Sequence, residues 1–471
     1  MLFFMVQIFM YGLTIFHMDV IIGVISNIFL DFYYNFSILE LRILSIYMNE
    51  LKFPDKFLFG TAVASYQVEG GIYNNDWTIW ENKSNSVCVE PCNEACKHYE
   101  MLDQDINLLI KLGIKAFRFS IEWSRVEPNE GLFDNVAINH YVEKAKKLIS
   151  NNITPIITFH HFTTPEWLFN KGSWLNPKSD IYFNNYVDKL MQLLPKEIVY
   201  FNTINEPGIF AFFGYFSTNK FPPGIANETK FIKASENIMS AHKKALNTIK
   251  KYNQNAKVGM THALQEWEDQ DNNKLKEYLK YHLEDKFLEA SVDDDFIGLQ
   301  TYTIVRYPKN IFLKLSNALL LNVGIIRKFI LPRIIQIFAG RNGAITSETR
   351  TTKMGYEYRP EAVLYNLNRL KKIFPNKEVF ITENGIATDN DDERIEFVTT
   401  VLKDVHKFQE ENKNIIGYLY WSLLDNFEWD LGYQMNFGLV EVNKNDYSRK
   451  PHKSAYWFGN ISKTNKYQIK S

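Results

Sequence analysis

The chain has 471 residues, 46% hydrophobic and 15% aromatic, with 53 Lys and Arg against 54 Asp and Glu for a net charge of −1. That balance, with no long run of one sign, excludes nucleic acid as a partner. The apolar share suffices for a large core, and three cysteines are too few for a disulfide framework.

Residues 1–47 are rich in Phe, Ile, Leu and Met, and only Asp19, Asp31, Glu40 and Arg42 carry charge. A secretory signal opens with basic residues, whereas the first here is Arg42. A membrane span wants about 20 apolar residues in a row, and Asp19 interrupts this one. Met48 opens a plainly polar-apolar sequence, so the expectation is a hydrophobic extension, 1–47, that is not made, followed by one domain, 48–471. A membrane anchor is the alternative.

From residue 57 on, apolar strand-like runs alternate with amphipathic helix-like stretches. The runs are 57–64, 115–123, 154–162, 198–205, 257–264, 295–302, 378–382 and 415–424. They are continuous rather than alternating, as strands covered on both faces should be. Between them lie 97–112, 136–150, 180–194, 230–251, 274–290, 360–373 and 391–411. Eight strands alternating with helices predict an α/β fold, a single-domain (β/α)8 TIM barrel.

Near the first run, Cys88, Cys92 and Cys96 are spaced C-x3-C-x3-C with His98 beside them. This is not a usual zinc spacing, so no metal is assigned. Scarce cysteine suits a reduced compartment, and a cytoplasmic location is expected, with membrane association as the alternative.

Barrel chemistry gathers where strands end and loops begin. Gln67 follows the first run, and Arg118 and Glu122 lie in the second. His160 and His161 fall in the third, Asn205 and Glu206 at the end of the fourth, Tyr302 in the sixth and Glu383 just past the seventh. Trp421 lies in the eighth, with Glu428 and Trp429 beyond. Unpaired burial of polar groups costs free energy, so their gathering at strand ends marks a site.

After the sixth run, no Asp or Glu occurs from Phe296 to Ser347, while Arg306, Lys309, Lys314, Arg327, Lys328, Arg333 and Arg341 sit among Leu and Ile. Residues 311–338 read as basic amphipathic helices broken at Pro332. One reading is a lid packed on the barrel; the other is a membrane-surface contact beside the site.

Asn205-Glu206-Pro207 and Thr382-Glu383-Asn384-Gly385 each place one glutamate at the end of an apolar run. Two carboxylates facing one another across a pocket can break a glycosidic bond, one giving a proton while the other attacks carbon.

At this point the chain resembles glycoside hydrolase family 1, the β-glucosidase and β-galactosidase family. The resemblance rests on residues 53–70 (FPDKFLFGTAVASYQVEG), 117–125 (FRFSIEWSR), 203–207 (TINEP), 381–385 (ITENG), 420–429 (YWSLLDNFEW) and 436–439 (NFGL), in the family's order. It implies a retaining β-glycosidase without cofactor, acting on a small-molecule or oligosaccharide β-glycoside. Glu206 is then the acid/base and Glu383 the nucleophile. Gln67, His161, Asn205, Glu428 and Trp429 match positions that bond the ring hydroxyls, and Trp421 matches the aromatic floor. Arg118 and the Tyr302 hydroxyl would favour the charged form of Glu383. An oligomer is compatible with the sequence.

Two departures stand out: Phe162 replaces the family's usual Trp, and Gln300-Thr301 replaces an Asn and an aromatic. Relatives acting on 6-phosphorylated sugars carry Ser and Lys-x-Tyr after the last Trp. Residues 430–437 have no Lys, and Glu428 would repel phosphate, so a neutral sugar is expected. The competing readings are a non-catalytic sugar-binding barrel and a membrane-associated glycosidase acting on lipid-linked glycosides.

Overall fold

A computed structural model describes Met5 and residues 50–217, 220–268, 274–306 and 349–468. The extension 1–47 (Met5 apart) and the basic stretch 311–338 lie outside the described residues.

Phe53–Asn465 forms one unit built on a closed parallel barrel. Its strands are β1 (Leu58–Ala62), β2 (Ala116–Ser120), β3 (Thr154–His160), β4 (Tyr200–Asn205), β5 (Lys257–Ala263), β6 (Phe296–Gln300), β7 (Glu378–Asn384) and β8 (Ile415–Trp421). Each pairs with its neighbours in sequence order, and β8 closes on β1. Nearly every strand residue is buried, because helices cover the outside and side chains fill the inside.

The helices fall where the 3.6-residue pattern places them, including Leu102–Leu112, Asn135–Ser150, Ser179–Met191, Glu228–Tyr252, Ala362–Ile373 and Asp391–Asn412. Their starts are marked by capping side chains. Asp134 accepts from the N–H of Val136 at 2.7 Å, Asn227 from Lys230 at 3.0 Å and Asn390 from Asp392 at 3.1 Å. The expected helix 274–290 contains a wider turn at Tyr281–Asp285 between Lys274–Lys280 and Lys286–Ala290. A further helix, Lys453–Thr464, follows β8 and completes the outer ring; the sequence pattern had not singled it out.

Polarity divides the barrel interior along its axis. Ala116, Ile156, Phe296, Phe380, Ile416 and Leu419, with Leu58 and Tyr200, form an apolar layer drawn mostly from the early halves of the strands. The polar residues lie at the other end. There the ladder is irregular: register shifts fall between Asn202 and Asn205 on β4 and between Ile381 and Glu383 on β7. Such bulges re-aim side chains at barrel rims.

Two of the boundaries that differ from the sequence reading bear on the site. β7 runs on to Asn384, so Glu383 lies within the strand rather than past it. β2 stops at Ser120, and Trp123–Val126 is a helical turn that carries Glu122 away from the strand. Gly385 is required where β7 leaves the barrel, since a Cβ there would lie 2.1 Å from the Trp421 carbonyl oxygen.

Outside that unit, Glu50–Lys52 pairs antiparallel with Lys466–Gln468. Among the described residues no helix is long and apolar enough to cross a membrane.

Candidate active site

Glu383 is buried near the end of β7, and both its oxygens are held. Arg118, from the middle of β2, pairs with Oε1, and Gln300 Nε2 donates to the same oxygen at 2.9 Å. Tyr302 donates its hydroxyl to Oε2 at 2.9 Å. Burial pushes the carboxyl up, while the Arg118 charge and the hydrogen bonds from Arg118, Tyr302 and Gln300 pull it back toward ionisation.

Glu206 follows β4 in the left-handed region, at φ 42° and ψ 58°, with Pro207 starting the next helix. Its N–H donates to the Thr261 carbonyl at 2.8 Å, which fixes the turn. A left-handed glutamate is held only where its surroundings over-determine it, and such residues cluster at functional sites. Burial raises its carboxyl well above the usual range, and the charges of Glu383 and Glu428 raise it further against Arg118. Of the two glutamates, Glu206 therefore holds a proton to the higher pH.

Asn205, next to Glu206 in the chain, shares the donors Arg118 and Gln300 with Glu383. Its Oδ1 accepts from Arg118 Nη2 at 2.6 Å, Thr261 Oγ1 at 3.0 Å and Gln300 Nε2 at 2.9 Å. Three donors on one oxygen fix the amide orientation, so Nδ2 faces His161 Nε2 at 3.2 Å. Burial and the Arg118 charge hold His161 well below its ordinary range. The neutral ring accepts at Nε2 and carries its proton on Nδ1, which is buried without a partner among the described residues.

Gln67, on the helix Ser65–Glu69 after β1, donates through Nε2 to Asn426 Oδ1 at 3.1 Å, the Phe427 carbonyl at 2.8 Å and Glu428 Oε2 at 3.4 Å. Burial raises Glu428 to about 8, with the charges of Glu383 and Asp430 adding to it. A group poised there can both donate to and accept from a hydroxyl.

The walls are aromatic. The His161 ring lies parallel to Trp421, 5.9 Å between centroids, and to Trp429 at 6.3 Å. Phe162 and Trp429, both left-handed in φ, meet at 5.2 Å, with Phe221 against Phe162 at 5.1 Å. Trp421 packs with Ala62, Ala64, Ala387 and Phe437, against which Tyr302 and Met354 rest. An apolar wall beside converging polar groups suits a pyranose, which has one apolar face and a rim of hydroxyls.

The structure thus joins Glu383, Asn205, Arg118, Tyr302 and His161 in one hydrogen-bonded network, with Glu206 coupled to it by the charges of Glu383 and Arg118, and Gln67 and Glu428 in a second, linked by the charge of Glu383 on Glu428 and of Glu428 on Glu206. Two other polar residues at strand ends are not in it. Glu122 is buried in a cage of hydroxyls from Ser65 at 2.9 Å, Ser124 at 2.7 Å and Thr163 at 3.0 Å. His160 packs among Trp174, Phe183 and Phe210. The cysteines make no cluster with His98. Cys92 and Cys96 donate to the backbone carbonyls of Tyr66 and Asp425 at 3.1 Å each, and His98 is taken by Asp105 at 2.7 Å and Lys144 at 2.8 Å.

Sequence reasoning missed Asn426, which orients Gln67, and Tyr356. The Tyr356 phenol is raised by burial and by the charges of Glu428 and Glu206. Tyr356 stands 54 positions after Tyr302, beyond the basic stretch, and no local pattern points to it.

A family model described as Glycosyl hydrolase family 1 matches residues 49–323 and 279–467. The chain is similar to β-glucosidase A of Acetivibrio thermocellus, 29% identical over 89% of this chain and 100% of that protein. It is also similar to a 6-phospho-β-galactosidase of Leptotrichia buccalis, 28% identical over 88% of this chain and 99% of the other. Among solved structures, a β-glycosidase from Pyrococcus horikoshii superposes with a TM-score of 0.76 at 33% identity, covering 89% of this chain and 96% of that one.

Proposed function

The chain belongs to glycosyl hydrolase family 1, and from that premise we propose that it hydrolyses terminal non-reducing β-D-glycosides with retention of configuration. The carrying observation is the asymmetry of the two glutamates. Glu383 is fixed at both oxygens by donors that favour its ionised form, and Glu206 is held protonated by burial and by the charge of Glu383.

In the first step the Glu383 carboxylate forms a bond to the anomeric carbon as the glycosidic bond breaks. Glu206 passes its proton to the departing oxygen, and the aglycone leaves as an alcohol. In the second step water gives a proton to Glu206 and attacks the same carbon. The bond to Glu383 breaks, the β-configured sugar departs, and both glutamates return to their starting states. Each inversion is made at one carbon, so the product keeps the substrate's configuration. No metal or cofactor enters either step.

Asn205 Nδ2 has one proton toward His161 and a second free for the sugar 2-hydroxyl, a contact that tightens in the transition state. Gln67 and Glu428 take ring hydroxyls on the other side, with Trp421 beneath and Trp429 at the edge. A neutral sugar is favoured, because the groups beside Gln67 are the carboxyls of Glu428 and, near it, Asp430, and Lys220 is already paired with Asp430 at 2.7 Å. Glucosides are the expected substrates, with galactosides and fucosides after them.

The test is release of nitrophenol from aryl β-glycosides of glucose, galactose, fucose and 6-phosphoglucose, with the configuration of the first product read by proton NMR. Retention on a neutral sugar supports the proposal. An α product overturns it, and sugar binding without turnover makes the chain a sugar-binding barrel.

A further inference from the structure

Gln300 ends β6 and is fully buried where Asn205, Glu383 and Arg118 meet. Its Nε2 donates to Asn205 Oδ1 and to Glu383 Oε1, each at 2.9 Å, so both amide protons are used. The amide cannot be turned the other way round, since Oε1 would then face two acceptor oxygens. Gln300 Oε1 is buried and has no partner among the described residues.

We propose that Gln300 is a positioning residue that ties the group reading the sugar 2-position to the group attacking the anomeric carbon. This rests on the glycosidase reading above and adds a role to a residue outside the acid/base pair. Arg118 also touches both partners, but through separate nitrogens, Nη1 to Glu383 and Nη2 to Asn205. Gln300 bridges them through a single atom, so a shift of Asn205 of a few tenths of an ångström is felt at Glu383. The side chain reaches both because β6 lies beside β7 with Gln300 opposite Glu383 across the β7 bulge. One methylene less would leave the amide short of one oxygen.

The experiment is a cycle of two enzymes and two substrates. Gln300→Met keeps the bulk and removes both donations. Values of kcat/KM are measured for 4-nitrophenyl β-glucoside and its 2-deoxy analogue, each across pH. The ratio between substrates does not depend on how much of a preparation is folded, so a poorly folding variant still reports. Gln300→Asn, one methylene short, is the second variant.

With Gln300→Met the glucoside is expected to lose about 10- to 100-fold, as for a lost hydrogen bond to a charged group. The 2-deoxy analogue loses several-fold less, because it makes no use of Asn205. The acid limb moves to higher pH, since Glu383 has lost a donor to its ionised form. Gln300→Asn should lie between. Equal losses on both substrates with an unmoved acid limb would show a packing role only and overturn the inference. A moved limb with equal losses would show that Gln300 serves Glu383 alone, which overturns the tie. If the unaltered protein turns over neither substrate, the glycosidase reading fails and the inference falls with it.

Discussion

Tyr302 donates its hydroxyl to Glu383 Oε2 at 2.9 Å, on the one carboxylate oxygen that Arg118 and Gln300 do not touch. The bond favours the ionised form, so its loss moves the carboxyl further up. Tyr302→Phe should therefore shift the acid limb of kcat/KM to higher pH and lower the plateau about 10- to 100-fold. A pH profile of the variant on an aryl β-glucoside checks this; an unshifted limb would mean that Oε2 is held by something else.

Glu206→Gln removes the proton but keeps the shape of the left-handed turn. Leaving groups that need no proton, such as dinitrophenolate, should lose little in the first step. Alkyl and sugar leaving groups should lose about 100-fold or more beyond that. Rates for a series of aglycones of graded acidity measure the difference. Equal losses across the series would count against Glu206 as the acid.

Glu428, raised to about 8 by burial and then by Glu383 and Asp430, keeps a carboxyl beside the Gln67 amide. Assayed above about pH 8, where the carboxyl is ionised, Glu428→Gln should raise KM for neutral glucosides and narrow the preference over a 6-phosphorylated glucoside by about 10-fold, since a charge that repels phosphate has gone. Competition between the two substrates reports it. A preference that stays the same would place the sugar 6-position elsewhere.

Burial also raises Glu81, on the helix Asp76–Glu81, from its ordinary 4.5 to about 7, against hydrogen bonds from the Cys92 backbone and Tyr66. Between these values the folded chain binds the proton and the unfolded chain has released it. The group's contribution is thus present in full below about pH 4.5 and is lost as pH rises through 7. The loss is at most about 4 kcal/mol. Glu81→Gln should flatten this slope, and urea unfolding followed from mildly acidic to mildly basic pH measures it. A slope unchanged by the substitution would assign it to other groups.

The barrel was legible because parallel strands covered on both faces are continuous apolar runs, and seven of the expected helices lie on periodic stretches. The paired glutamates were legible because each stands in a short motif at a strand end. What escaped depends on which strands come to lie side by side. Glu122 and His160 carry the same signal as Arg118 and His161, a polar residue in or at the end of an apolar run, yet they are buried among partners outside the network, hydroxyls for Glu122 and aromatic rings for His160. Gln300 read only as a departure from the family pattern, and its double contact exists because the β7 bulge sets Glu383 opposite it. Tyr356 and Asn426 reach the site from loops that carry no periodicity.

The central claim is that Glu383 forms the bond to the sugar. It is tested most directly by Glu383→Ala, assayed on a dinitrophenyl β-glucoside with and without azide, with the configuration of the product read by proton NMR. The account predicts almost no turnover alone and, with azide, formation of the α-glucosyl azide, because the small anion takes the place of the missing carboxylate. A β-glucosyl azide, or turnover close to that of the unaltered protein without azide, would contradict it.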